Sequence, residues 1–116
     1  MASDDAFLRA LADLEIALEE NTQRTKAMKR RIAHIRRERG KGATWSSIVS
    51  AESPPLIVQL VTDSSRALDE HGGRVRRTEV LALHDEGMTM EQIAEKFGVT
   101  RQRVSSLLRE ARGDLR

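Results

Sequence analysis

The sequence predicts an all-α protein, and three observations predict it. Residues 4 to 39 contain neither glycine nor proline and are rich in Ala, Leu, Glu, Lys and Arg, so backbone propensity favours one long helix. Apolar residues along the chain recur at spacings of three and four instead of two. Ser or Thr stands at the head of each later apolar run, with glycine or proline near the run's ends, which is how helices are punctuated. The expected organisation is a long, coiled-coil-like helix over residues 1–40, a small helical middle segment over 41–72, and a helical C-terminal domain over 73–116.

Composition sets the limits. A chain of 116 residues has room for one domain, or for one small domain and an extended element. With two Phe, one Trp and no Tyr, any core consists mostly of Leu, Ile, Val, Ala and Met. The absence of cysteine excludes disulfides and thiolate metal sites, as suits a reducing cytoplasm. No apolar run approaches bilayer-spanning length, and Met1 to Ala10 lacks the basic and apolar regions of a signal peptide. We expect a soluble, cytoplasmic, nucleoid-associated chain with no membrane partner. The formal net charge of +2 says little, but its distribution is uneven. Residues 1–20 hold six acids against one base, and residues 21–43 hold nine bases against one acid.

Within the long helix, Asp4 and Asp5 suit the positive N-terminal end and the arginines suit the C-terminal end, with Gly40 as the stop. Phe7, Leu11, Leu14, Leu18, Asn21, Thr25, Met28, Ile32 and Ile35 form a heptad seam with two polar residues in its middle. Such a helix reaches about 50 Å, more than a small domain is wide. Much of the seam therefore needs a partner, and the simplest is a second copy. An antiparallel homodimer sets acidic half against basic half, and Asn21 then fixes the register. Folding of the helix back onto its own domain is the alternative. The run from Lys29 to Lys41 reads either as a solvated face or as a surface that touches DNA phosphate.

Gly40-Lys41-Gly42 is a flexible joint, after which Thr44 caps a brief helix from Trp45 to about Ser50, with Trp45, Ile48 and Val49 facing one way and Trp45 read as core, with a binding anchor as the alternative. Ser53-Pro54 then starts a helix whose apolar face is Leu56, Ile57, Leu60, Val61, Ala67 and Leu68, ending near Glu70 before Gly72-Gly73. The run from Leu56 to Val61 is β-branched, but its cap, its length and the lack of a pairing strand favour a helix. Two readings of Arg74, Arg76 and Arg77 remain open. They form an arm along a narrow minor groove, or they belong to a linker and start the next helix, which Thr78 caps and which runs from Glu79 to Glu86.

The most informative stretch is Thr89 to Arg109. Thr89 and Gln92 form a capping box, and Met88 with Ile93 forms its hydrophobic staple. Thr100 is a second N-cap, with Val99 and Val104 as the matching staple. Gly98, between the two helices, sits where the chain turns sharply and positive φ is needed. Ile93, Phe97, Val99, Val104, Leu107 and Leu108 pack the pair together, and Ala94 lets the helices approach closely. Arg101, Gln102, Arg103, Ser105, Ser106 and Arg109 are left pointing mainly outward. These are the residue types that read DNA: Arg on guanine or phosphate, Gln on adenine, Ser on either. The stretch is a helix-turn-helix.

The pattern Gln92-Ile93-Ala94, three residues, Gly98-Val99-Thr100, then Arg101-Gln102-Arg103-Val104 resembles the helix-turn-helix of region 4 in bacterial sigma factors and of the DNA-binding domains of Hin-type recombinases. The resemblance covers roughly residues 74–113. It implies that the helix from Arg101 enters the major groove of double-stranded DNA, with Thr100, Arg101, Gln102, Ser105 and Ser106 at the contact. It also leaves room for contact with RNA polymerase or another regulator.

Catalysis finds no support. His34, His71 and His84 fall in different expected elements, and none has a second ligand at metal-binding spacing. Asp69-Glu70 and Asp85-Glu86 are helix-end acids, and no glycine-rich phosphate loop is present. The expected protein is a bacterial-type, dimeric transcription regulator with neither enzymatic activity nor cofactor. The alternative is a protein-interaction or chromosome-organising factor that docks another protein through its N-terminal helix.

Overall fold

The computed structural model describes residues 2–114, and every regular element among them is a helix: α1 (Ala2–Gly40), α2 (Trp45–Ala51), α3 (Ile57–Asp85), α4 (Met90–Phe97) and α5 (Arg101–Asp114). The chain packs as two compact units, one of residues up to 16 with those from 68 onward, the other of residues 17–67.

α1 is unbroken for 39 residues, with Asp4 and Asp5 in its first turn and Arg37 and Arg39 in its last. It ends one step later than expected. Gly40 is still helical, and Gly42 takes the left-handed φ of 95°, with Ala43 N bonded to Glu38 O and Gly42 N to Arg39 O. The same Schellman pairing closes α3 at Gly87 and α4 at Gly98, so one local device ends three of the helices.

The heptad seam of α1 divides into two lines. Phe7, Leu14, Asn21, Met28 and Ile35 are buried or half-buried, whereas Leu11, Leu18, Thr25 and Ile32 are exposed. The tightest burial falls on small residues that a heptad count overlooks: Ser3, Ala6, Ala10 and Ala17. In the unit of residues 17–67, Asn21 Nδ2 donates to Ser64 O at 3.1 Å, while Arg31 Nη1 donates to Glu52 Oε1 at 2.7 Å and Pro55 O at 3.3 Å. The start of α3 thus runs antiparallel to the second half of α1. Asn21, expected to set the register between two chains, is satisfied inside its own chain.

α3 corrects the expected break at Gly72-Gly73. It is a single helix of 29 residues that carries both glycines, Arg74, Arg76, Arg77 and Thr78 in its interior. The Thr78 hydroxyl does not cap a helix but donates back to Arg74 O at 2.8 Å. Neither an arm nor a linker is present there. Two glycines cost a helix about 1 kcal/mol each relative to alanine. Tertiary contact offsets this: Gly73 and Thr78 are buried, and Arg74 Nη1 meets Asp13 Oδ2 at 2.8 Å. A Cβ on Gly72 would meet only Arg76 Nη1, at 3.6 Å, which is ordinary contact. Gly72→Ala should therefore raise stability by about 0.5–1 kcal/mol in denaturant titration. A loss of stability would mean that the chain is not helical at this point.

The start of α3 also differs from expectation. Pro55 disfavours α geometry at the residue before it, so Pro54 cannot open a helix and the helix begins at Ile57. Glu52 and Gln59 do the capping that Ser53 was expected to do. Glu52 Oε1 accepts from Ile57 N at 2.6 Å, and Gln59 Oε1 accepts from Leu56 N at 2.7 Å. The Ile57 N–H, and then the Arg31 guanidinium, hold the Glu52 carboxyl below its usual range. In α2, Thr44 accepts from Ser47 N as expected, but only Ile48 is buried. Trp45 and Val49 face outward. Arg39 lies over the Trp45 ring at 4.5 Å from its centroid, a cation–π contact that shields the indole without burying it.

Residues 78–111 form the principal core. Val80 and Leu81 of α3, Ile93 and Ala94 of α4, and Val104, Leu107, Leu108 and Ala111 of α5 bury one another, flanked by Leu83, Met88, Met90 and Phe97. Val99, expected in this core, is 39% exposed.

Candidate nucleic-acid interface

The sequence α4, turn, α5 holds its geometry through local bonds. Thr89 Oγ1 accepts from Gln92 N at 3.1 Å, and Gln92 Oε1 accepts from Thr89 N at 2.9 Å, completing the capping box. Gly98 takes φ 68° and ψ 34°, and Val99 N bonds to Ala94 O at 3.0 Å. Thr100 Oγ1 then accepts from Arg103 N at 3.0 Å, capping α5. No freely rotating residue separates the two helices, so α5 is fixed relative to α4.

Four residues anchor the inner face of α5: Val104, Leu107, Leu108 and Ala111 are all buried. The outer face follows from the helical period. Arg101, Gln102, Ser105, Ser106 and Arg109 fall at i, i+1, i+4, i+5 and i+8, which is one side of a helix. Thr100, Arg101, Gln102, Arg103 and Arg109 are exposed, and Ser105 and Ser106 are half-buried. Arg101, Gln102 and Ser105 line a shallow recess together with Met90 of α4. Ser106 Oγ accepts from Arg109 Nη2 at 3.1 Å and so steers that guanidinium. Arg103 lies on the flank of α5, about 100° around the axis from Gln102.

Two groups emerge that local sequence patterns do not single out. Glu91 Oε1 bonds Arg101 Nε at 3.0 Å, placing an acid beside the first residue of α5. No local spacing rule links residues ten apart across a turn, so only the fold reveals the pair. Met90 forms part of the floor of the recess.

Arg74 and Arg77 of α3 are held in ion pairs apart from this face. Arg74 is engaged by Asp13, and Arg77 Nε bonds Asp114 Oδ2 at 2.8 Å near the far end of α5. Roughly 20 Å of helix separates Asp114 from Arg101. Arg76 is exposed and forms no ion pair among the described residues. Also among the described residues, no group of three His, Asp or Glu is placed to hold a metal ion, and no helix is long and apolar enough to cross a membrane.

No curated protein and no solved structure matches the chain. A family model does match, described as sigma-70, region 4, over residues 75–116. The match begins inside α3, covers α4 and α5, and contains every residue of the outer face described above. Residues 75–116 are similar to region 4 of sigma-70, a helix-turn-helix DNA-binding region.

Proposed function

We propose that the chain is a sequence-specific, DNA-binding transcriptional regulator that acts as a homodimer, with α5 in the major groove. The observation that carries the reading is the outer face of α5. An arginine, a glutamine and a serine share one recess on a helix whose orientation is set by caps and a buried core. Arg and Gln are the side chains that recognise guanine and adenine edges with two hydrogen bonds each. The phosphate contacts fall to Arg103 and Arg109, with Thr100 at the N-terminus of the helix.

The second line of the α1 seam supports the dimer. Leu11, Leu18, Thr25 and Ile32 repeat every seven residues and stay exposed after α1 has packed on its own chain. They are symmetric about the middle of α1. In an antiparallel pair Leu11 meets Ile32 of the second copy and Leu18 meets Thr25, with acidic half beside basic half. A dimer matters because one module reads only a few base pairs, whereas two joined modules lengthen the site and add avidity. The same exposed line is what a different protein, such as RNA polymerase, would engage.

The test is selection of bound fragments from random-sequence duplex DNA across a salt series, together with the mass of the free protein in solution. Enrichment of a motif with two related half-sites and a mass of two chains is the expected result. Salt-sensitive binding with no motif would replace the regulator with a chromosome-coating protein. A monomer that binds one half-site would remove the dimer and leave the α5 assignment standing.

A further inference from the structure

The basic half of α1 poses a separate question. Between Arg24 and Lys41, four cations are engaged inside the chain. Arg24 bonds Asn21 and Glu20, Arg31 bonds Glu52, Arg39 lies on Trp45, and Lys41 meets Glu38. Lys26, Lys29, Arg30, Arg36 and Arg37 form no ion pair among the described residues, and all five are exposed. Lys26, Arg30 and Arg37 lie on the side of α1 away from Asn21, Met28 and Ile35, the residues turned toward its own chain, and Lys29 and Arg36 flank that side. Like charges three and four residues apart on a helix repel, each pair costing a few tenths of a kcal/mol. None of the five is held in an ion pair within the unit of residues 17–67.

We infer that this outer face of α1, centred on Lys26, Arg30 and Arg37, is a second contact for nucleic-acid phosphate, independent of sequence. It rests on the DNA-binding reading only for the identity of the polyanion. The composition of the face selects that partner over others. The only apolar residue in the row is Ala33, whereas a protein partner needs an apolar centre with charges at its rim. A membrane-binding helix likewise needs large apolar side chains to insert. A phosphate polymer needs only cations at helical spacing. From Lys26 to Arg37 the helix rises about 16 Å, and duplex DNA carries about ten phosphate charges over that length. The exposed line of Leu11, Leu18, Thr25 and Ile32 lies on a different side of α1 from Lys26, Arg30 and Arg37, so dimerisation through that line leaves these three cations free.

The experiment compares the full chain with its Lys26→Gln/Arg30→Gln/Arg37→Gln variant. Glutamine keeps the helix propensity and removes the charges. Binding to random-sequence duplex DNA is measured across a salt series, with helicity and mass in solution as controls. The expected result is a shallower dependence of log affinity on log salt, by about 0.9 for each phosphate that the variant no longer neutralises, with helicity and mass unchanged. In Arg101→Ala/Gln102→Ala protein, preference for a selected motif should disappear while residual binding still responds to the α1 substitutions. An unchanged slope in the α1 variant overturns the inference, and selective binding of a motif by the same variant keeps the α5 reading intact. A change of mass assigns the face to contact between copies and overturns it. So does retention of the DNA slope with loss of binding to phosphatidylserine vesicles, which assigns the face to a membrane. Absence of DNA binding by the wild-type chain at low salt overturns both readings.

Discussion

Ile93→Ala is expected to destabilise the unit that carries α4 and α5 by about 2–5 kcal/mol, the usual cost of emptying a buried aliphatic position. Ile93 has no exposed surface, and neither do Val80 and Val104 in the same cluster. Ile93 serves as the staple of the capping box and as a packing residue under α5, so its removal loosens both the start of α4 and the seat of α5. Small domains are stable by only about 5–15 kcal/mol in total, so this loss is a large fraction of the whole. Chemical denaturation provides the check. Ile16→Ala is the control, because Ile16 is 60% exposed in the same unit and its truncation should change stability by about 0.5 kcal/mol or less. DNA affinity of the Ile93 variant should fall in parallel with its folded fraction and recover on stabilisation by a bound site. Equal effects of the two substitutions would mean that the cluster around Ile93 is not the core.

Local signals in the sequence are reliable where the chemistry is local. Thr89 with Gln92, Thr100, and the glycines at 87 and 98 each satisfy or end backbone bonds within a few residues, and the structure shows them doing so. The outer face of α5 is legible for the same reason, since the helical period alone separates Gln102, Ser106 and Arg109 from Val104 and Ala111. What the sequence hides depends on contacts made at a distance. Gly72-Gly73 has the local character of a break, and only burial of Gly73 together with the Asp13–Arg74 pair makes a continuous helix intelligible. The packing face of α1 is built on Ala6, Ala10 and Ala17, which a search for large apolar residues passes over. Trp45 reads as inward by its type, yet Arg39 one helix earlier gives its ring a partner at the surface.

The largest functional effects should come from Arg101→Ala and Gln102→Ala. Each side chain that makes a two-point contact with a base edge contributes about 1–3 kcal/mol of discrimination, so either truncation should weaken the selected site by about fivefold to 150-fold. Random-sequence DNA should be much less affected by Gln102→Ala, because an uncharged side chain releases no counterion from phosphate. The Glu91–Arg101 pair opposes binding by Arg101, since the guanidinium has to leave one acceptor to reach another. Both side chains are more than 60% exposed, and exposed pairs contribute about 0–1 kcal/mol. That is less than the gain from two bonds to guanine, so the pair holds Arg101 over the recess without preventing its use. Competition binding with the selected motif, and with single-base variants of it, measures both quantities. A loss of affinity confined to the motif, with relaxed preference at one base position for each truncated residue, identifies Arg101 and Gln102 as readers. A uniform loss on all sequences would make Arg101 a phosphate contact, and no loss from either variant would move the reading face elsewhere on α5.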